Sequence, residues 1–420
     1  MWKKISEKLP LYGLTMVSLF PLLDVFWASF SIIVLSATCL IYFLSDLKNR
    51  WSPDVKGFLI FSFPFYLYLV GYFYTSNSGE AIKTIETGLS LLLFPFLIFI
   101  MLGTKYYKTI IEFHSRILLV YSLSTCMLIL VILGYLTNVG AISDLFDAEV
   151  YQNVSVNRGT DMVRFYIEHI GFIGEHPTYL GLLSLFSFLV SIYQYRFGKK
   201  VWMVILMLIS TIGVLVSGSK MAIVTYVLIG ILIGFLLVKS RRKRVWITLS
   251  IVGSFILMFI LNPMIRLRYE QLLTTKFTPP TGLRYNSTNV RVGIFQCTKK
   301  VFQDAPIIGY GTGGYKDEMK ECYLTYDTDA YTKAGGYFNT HNQYLSYALS
   351  NGIYGLVLFI GWILFLYGIA IRSKESLFII AVFVFSIMFI TENILERQTG
   401  VVLFSFVLPL LYIKSQKSHG

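Results

Sequence analysis

The chain has 420 residues, of which 55% are hydrophobic and only 14% charged. No soluble fold of this length hides that much apolar surface, which excludes a cytosolic globular enzyme and points to a polytopic membrane protein. The formal charge of +13 follows membrane topology, as set out next, and not a nucleic-acid-binding patch.

About twelve apolar stretches are long enough to span a bilayer at about 17–25 residues per helix. They are 11–23, 26–44, 57–74, 87–103, 116–136, 177–195, 201–217, 220–238, 245–261, 352–371, 377–391 and 399–413. Pro21 and Asp24 make a tight break between the first two, and Tyr and Trp gather near several ends as interface anchors. With the N-terminus inside, every inward segment is basic, from Lys3, Lys4 and Lys8 through Lys105 and Lys108, the Arg241–Arg244 cluster and Arg372 to Lys414 and Lys417. The short outward segments are nearly free of Lys and Arg, as the positive-inside rule requires, and both termini fall in the cytoplasm. The first apolar stretch lacks a small-residue cleavage site and leads straight into another, so no cleavable signal peptide is expected. Cys39 and Cys126 lie in spans. Cys297 and Cys322 share an outward segment and can pair in an oxidising compartment. The expected architecture is all-α and one integral membrane domain: spans one to nine in 1–261, a large periplasmic loop with short helices in 262–340, and three spans in 341–420.

Only two outward segments are long, about 138–175 and 262–340, and they hold the polar residues of interest. Arg158, Arg164, His169, Glu175 and His176 lie in or beside the first; Arg266, Arg268, Arg284, Arg291 and His341 lie in or beside the second. Chemistry on that face has no access to nucleotides, which argues against ATP or sugar-nucleotide substrates.

Within the second segment, "NSTNVRVGIFQCTKKVFQDAP" reads as a helix starting near Ser287 to Asn289 and stopping before Pro306. On a helical wheel Ile294, Phe295, Cys297, Thr298, Val301 and Phe302 form an apolar arc with Arg291 in its middle. A buried-face arginine needs an anionic partner, either a ligand or a structural ion pair. "IIGYGTGGYKDE" lacks the Gly-Lys-Ser/Thr of a nucleotide loop and reads as a tight turn. Asp327 and Asp329 have a spacing that can hold a divalent cation, but no further acidic ligand accompanies them, and Gly171 and Gly174 interrupt any helix joining His169 to His176. No metal site or cofactor is expected. "THNQ" fits a capping box with Thr340 as N-cap and Gln343 reaching back, which makes His341 the first residue of a helix entering the membrane. The helix dipole favours a neutral imidazole there, able to take a proton from a hydroxyl; an interfacial histidine that only hydrogen-bonds a neighbour has the same signature. Lys220, in "VSGSKMA", sits at a helix N-terminus, where it either attends an anion or snorkels to the interface.

Taken together, these stretches resemble the O-antigen ligase and polymerase superfamily of bacterial membrane glycosyltransferases. The resemblance rests on "THNQYLSYALSNGIYGLVLF", "NVRVGIF…DAPIIGYGTGG", "SGSKMA", "RFYIEHIGFIGEHPTYLG" and "TENILERQTGVVLF", and covers the chain from about Arg164 to Phe404. It implies a GT-C-like fold in the bacterial inner membrane and glycan transfer from undecaprenyl diphosphate to an acceptor hydroxyl on the periplasmic face, without metal or nucleotide. On that reading His341 matches the family's catalytic histidine and Arg291 an arginine that holds the diphosphate. Lys220 stands where the family usually has arginine; a point charge cannot make the bidentate contact. Arg164, His176, Asn342 and Arg268 complete the expected substrate-binding set. Lipid A–core is the expected acceptor, with a second lipid-linked repeat unit or a protein Ser/Thr as alternatives. A lipid-linked glycan transporter is the competing class, but the ionisable residues gather at the outer surface and the halves show no symmetry.

Overall fold

The computed structural model describes residues 6–46, 51–143, 162–195, 200–237, 240–242, 244–246, 249, 253, 256, 259–260, 263–282, 285–326, 328, 330–331 and 338–416. Among them the chain is all-helical, with one isolated bridge pairing Gly282 and Thr328. In order, the helices are α1 Leu9–Val17, α2 Val25–Asp46, α3 Val55–Tyr72, α4 Ser78–Gly88 and α5 Ser90–Pro95, the last continued by a wide turn, Phe96–Leu102. There follow α6 Tyr107–Asn138, α7 Met162–Glu168, α8 Pro177–Gln194, α9 Lys200–Val216, α10 Lys220–Leu237 and α11 Pro263–Thr274. The last five are α12 Ser287–Asp304, α13 Gly314–Leu324, α14 Gln343–Ser373, α15 Ser376–Met388 and α16 Gln398–Gln416.

Seven helices or helix pairs among the described residues are long and apolar enough to cross a membrane: 25–45, 55–72, 78–102, 104–138, 177–194, 343–373 and 398–416. Three shorter apolar helices, 201–216, 220–236 and 376–388, stand with them. The first expected stretch, 11–23, is only the nine-residue α1 followed by the turn Phe20–Leu22, because Pro21 interrupts the hydrogen-bond ladder. The stretch 245–261 lies largely outside the described residues.

Two helices form the centre. Residues 400–413 of α16 are all buried, as are 177–191 of α8, and the two touch each other. Around them pack α6, α9, α10 and α15 on the α8 side and α3, α4, α5 and α14 on the α16 side. A helix that is apolar all round belongs in such a centre. In lipid, small hydroxyl residues let backbones approach and add interhelical bonds worth about 0.6 kcal/mol on average. Ser187 of α8 accordingly meets Ser122 of α6 at 2.8 Å and Ser210 of α9 at 2.8 Å.

The two ends of the bundle are built differently. At one end, short connections lock together: Tyr107 donates to Asp54 at 2.6 Å, Gln194 to the Ser115 carbonyl at 2.9 Å, and Lys414 lies 4.1 Å over Tyr193. At the other end, α12 and α13 are joined by a Cys297–Cys322 disulfide around a small core of Ile294, Val301, Met319, Tyr323 and Tyr331. This cap is clamped to the α3–α4 connection, where the Gly314 N–H donates to Thr75 at 2.9 Å and Asn77 to Asp317 at 2.8 Å.

α14 is not one straight helix. Tyr344 and Phe359 are fifteen residues apart, which would separate them by about 22 Å along a continuous helix. Their rings lie 5.4 Å apart, and those of Tyr347 and Phe359 lie 4.5 Å apart. The chain folds back at Gly352, whose φ of 65° and ψ of −157° leave the helical region. The turn after Pro306 fills the notch and satisfies the broken ladder: Tyr310 and Gly311 N–H groups donate to the Leu349 and Ser350 carbonyls, and Ile353 N–H to Pro306. A Cβ on Gly352 would sit 2.1 Å from the Ile307 carbonyl oxygen, so only glycine fits.

Candidate active site

The inner arm of α14 places His341. The expected capping box does not form: Asn342 is the N-cap, accepting from the Leu345 N–H at 3.0 Å, while the Thr340 hydroxyl is drawn away to the Asn342 carbonyl. His341 therefore precedes the helix, with φ at +45°, and the dipole argument for its protonation state does not hold as expected. A positive φ outside glycine costs about 1–3 kcal/mol and persists only where surroundings enforce it. Here the 389–397 connection enforces it. Asn393 accepts from the Asn342 N–H at 2.7 Å, and the Asn342 amide donates to the Ile390 carbonyl at 2.9 Å. Gln343 is held three ways: by the Phe389 carbonyl, by Tyr68 at 3.0 Å and by the Leu395 N–H at 2.8 Å.

The imidazole itself has two neighbours. Phe338 packs with ring centroids 5.7 Å apart, and His341 Nδ1 lies 3.3 Å from Glu392 Oε1. Glu392 is only 6% exposed, and its Oε2 has no hydrogen-bond partner among the described residues. Burial pushes this carboxyl up, but His341 beside it, with His176 and Arg291 at longer range, overcomes burial and holds it at about 2. A carboxylate on Nδ1–H leaves Nε2 as the lone-pair nitrogen.

His176 caps α8. Its Nδ1 accepts from the Thr178 N–H at 3.3 Å and its Nε2 lies 3.5 Å from Glu168 Oε1, which fits a neutral ring donating from Nε2. Burial, then the charges of Arg397 and Arg164 with a contribution from His341, lowers it to about 3 against the pull of Glu392. Arg164, half-buried on α7, belongs to this group.

Arg291 departs from the wheel. The buried stripe of α12 is Val290, Ile294, Cys297, Thr298 and Val301, while Arg291 and Phe295 on its flank are exposed. One position along a helix is about 100° round, so a single buried neighbour does not bury the next. Exposed as it is, Arg291 acts electrostatically on Glu392. Lys220 is the half-buried first residue of α10, whose Ser219 supplies the cap to Ala222 N–H at 3.4 Å; Tyr269 donates to the Lys220 carbonyl. The backbone of Arg268 lies in α11. Arg158, Arg284, Asp327 and Asp329 lie outside the described residues. Among the described residues no three His, Cys, Asp or Glu side chains gather as metal ligands.

Sequence reasoning missed the residues of "TENILERQTG" as individuals. Glu392 partners His341, and Asn393 anchors Asn342. Glu396 accepts from Asn393 at 2.7 Å, from Tyr315 at 3.3 Å and from Ser346, which ties α13, α14 and the 389–397 connection together. The available signal was two carboxylates and an arginine between two apolar stretches.

Comparison with known proteins adds one decisive match: residues 205–360 fit the family model described as O-antigen ligase. The chain carries an O-antigen ligase domain. No curated protein matches the chain. The O-antigen ligase domain contains Lys220, Arg268, Arg291, His341 and Asn342, whereas Arg164, His176, Glu392 and Arg397 come from outside the matched residues. The match and the apolar helices together support a multi-pass membrane protein of the ligase and polymerase type of glycosyltransferase.

Proposed function

We propose that the protein transfers a glycan from undecaprenyl diphosphate to the hydroxyl of a lipid A–core acceptor at the periplasmic face of the bacterial inner membrane. The observation that carries this reading is the His341–Glu392 pair, 3.3 Å apart beneath a cap that bears Arg291. Glu392 accepts from Nδ1–H and orients the ring; Nε2 takes the proton of the acceptor hydroxyl as its oxygen attacks the anomeric carbon. The bond from that carbon to the diphosphate oxygen breaks, and the leaving diphosphate keeps the electron pair. Arg291 and Lys220 stabilise the charge it gains, and the imidazolium is stabilised by Glu392 until it passes its proton to solvent or the leaving group. A single in-line displacement inverts the anomeric centre. The step needs no metal, because cations of the chain hold the diphosphate.

The outer-face assignment is supported by the Cys297–Cys322 bond, which suits an oxidising compartment, and by the basic residues at the opposite end of the bundle. Lipid A–core is favoured as acceptor because the chain is compact, with one dominant outward segment. The test is purified protein in liposomes with lipid-linked glycan and a panel of acceptors: lipid A–core, a second lipid-linked unit, and a Ser/Thr peptide. Product on lipid A–core without any ion gradient is expected. Product only on a lipid-linked unit or peptide would replace the acceptor, and no product on any would overturn the reading.

A further inference from the structure

The turn that fills the α14 notch carries two isoleucines, Ile307 and Ile308, which are 58% and 63% exposed. They are held that way, because the backbone beneath them is pinned on its other side. The Pro306 carbonyl accepts from the Ile353 N–H at 2.8 Å, and the Ile307 carbonyl oxygen lies against Gly352. The Ile308 carbonyl lies 3.0 Å from the Tyr74 hydroxyl, and the Gly309 N–H donates to Ala305 at 3.2 Å. With the Tyr310 and Gly311 N–H groups bonded into α14 as well, the turn presents large apolar side chains on a backbone whose polar groups are met within the protein. Irregular backbone is tolerated next to lipid only on that condition.

The surface around the turn is of the same kind. Ile353 and Tyr354, the first residues of the outer arm of α14, are exposed, as is Phe73 beside Tyr74 at the end of α3. Further along the arm Val357 and Leu364 are exposed too, on a helix long and apolar enough to cross a membrane. The two isoleucines therefore continue the lipid-facing surface of a span. Length sets their level. Residues 353–373 rise by about 31 Å, and the hydrocarbon layer of a bilayer is about 30 Å thick. Arg372 is exposed at one end of that arm, and the turn stands at the other. Tyr74 and Tyr354 lie where interface aromatics belong.

We propose that the 306–309 turn is a membrane anchor of the cap: Ile307 and Ile308 sit among lipid acyl chains at the edge of the hydrocarbon layer, beside Ile353 and Tyr354. The turn follows α12 directly, so it fixes the height of the platform that bears Arg291 against the bilayer. This goes beyond the glycan-transfer reading and does not depend on it.

The experiment places an NBD fluorophore on Ile308→Cys in phosphatidylcholine liposomes. Quenchers are lipids spin-labelled near the headgroup end or near the methyl end of the acyl chain, and aqueous iodide. Lys299→Cys, on the polar side of α12, is the comparison, and Ile307→Cys is a second reporter should the first variant fail to fold. Wild type corrects for labelling at Cys39 and Cys126, which are buried. Emission from Ile308→Cys should lie to the blue of Lys299→Cys, and the shallow lipid label should quench it several times more strongly than iodide does. Iodide quenching equal to that at Lys299→Cys, with none from lipid, would overturn the proposal by placing the turn in water. Protection from lipid and iodide alike would overturn it by placing protein there, whether a second copy or another chain. Stronger quenching by the deep label than by the shallow one would refute the level set by α14.

Discussion

His341 and Glu392 are 51 positions apart in the chain and 3.3 Å apart in space. His341→Ala should lower transfer by about 10²–10⁴-fold, the usual scale of a lost general base, while donor binding persists. His341→Gln, which can hydrogen-bond but not take the proton, should be nearly as inactive. Glu392→Gln should lower kcat by roughly a hundredfold, because a neutral amide neither stabilises the imidazolium nor enforces the tautomer. Transfer assays run beside a donor-binding assay on all three variants check this. A separate effect concerns His176, whose neighbours Glu168, Glu175, Arg164, Arg397, Glu392 and His341 surround it. Its pKa is about 3 when folded and about 6.5 when unfolded. Between those values the unfolded chain binds the extra proton, so stability rises with pH across that window and is lost on acidification. His176→Asn keeps a capping side chain but cannot titrate, and its melting temperature should fall less than wild type's between pH 6.5 and 4.

At the scale of elements, α14 is two arms and α12 a platform for Arg291. Gly352→Ala places a side chain against the Ile307 carbonyl at a φ that favours glycine, and should destabilise by about 3 kcal/mol or more. Thermal melting in detergent reads the loss, and Gly361→Ala, with nothing near its Cβ, serves as the control. Arg291→Ala should cost transfer by orders of magnitude without loss of folding, Lys220→Ala should cost less, and Lys220→Arg should be tolerated; transfer rates at matched protein levels decide. Much of this layout was legible in the sequence: α12 begins and ends where its asparagine cap and Pro306 place it, and the apolar lengths mark the helices. The fold-back was not legible, since both arms of α14 carry the same helical periodicity and nothing local distinguishes Gly352 from other glycines. Nor was Glu392, whose role depends on a partner brought close only by tertiary packing. Arg291 was misjudged as buried because a wheel gives a direction, not the depth of the neighbouring surface.

At the scale of the whole molecule, the bundle has one plainly locked end and one capped end, and among the described residues His176, Arg291, His341 and Glu392 lie at the capped end. The proposed topology of about twelve spans puts the capped end outside. A cysteine introduced at Lys299 should react with a membrane-impermeant maleimide in intact cells, and one at Lys56 or Arg372 should not; the reverse pattern would invert the molecule. Metal independence is checked with chelator: transfer should continue in excess EDTA. Loss of activity restored by magnesium or manganese would instead direct attention to Asp327 and Asp329.

The three-way grip on Gln343 has a consequence for biosynthesis. Tyr68 is made early and Leu395 late, and both must be present before the inner arm of α14 is fixed. A ribosome-bound nascent chain that has delivered its first 373 residues to the translocon holds the whole segment 205–360, yet lacks Glu392, Asn393 and the central α16. His341 meets Glu392, and Asn342 meets Asn393, only once that later part of the chain has been made. On the proposed function, chains released early should be membrane-inserted but inert, which a transfer assay on a chain ending at Ser373 checks.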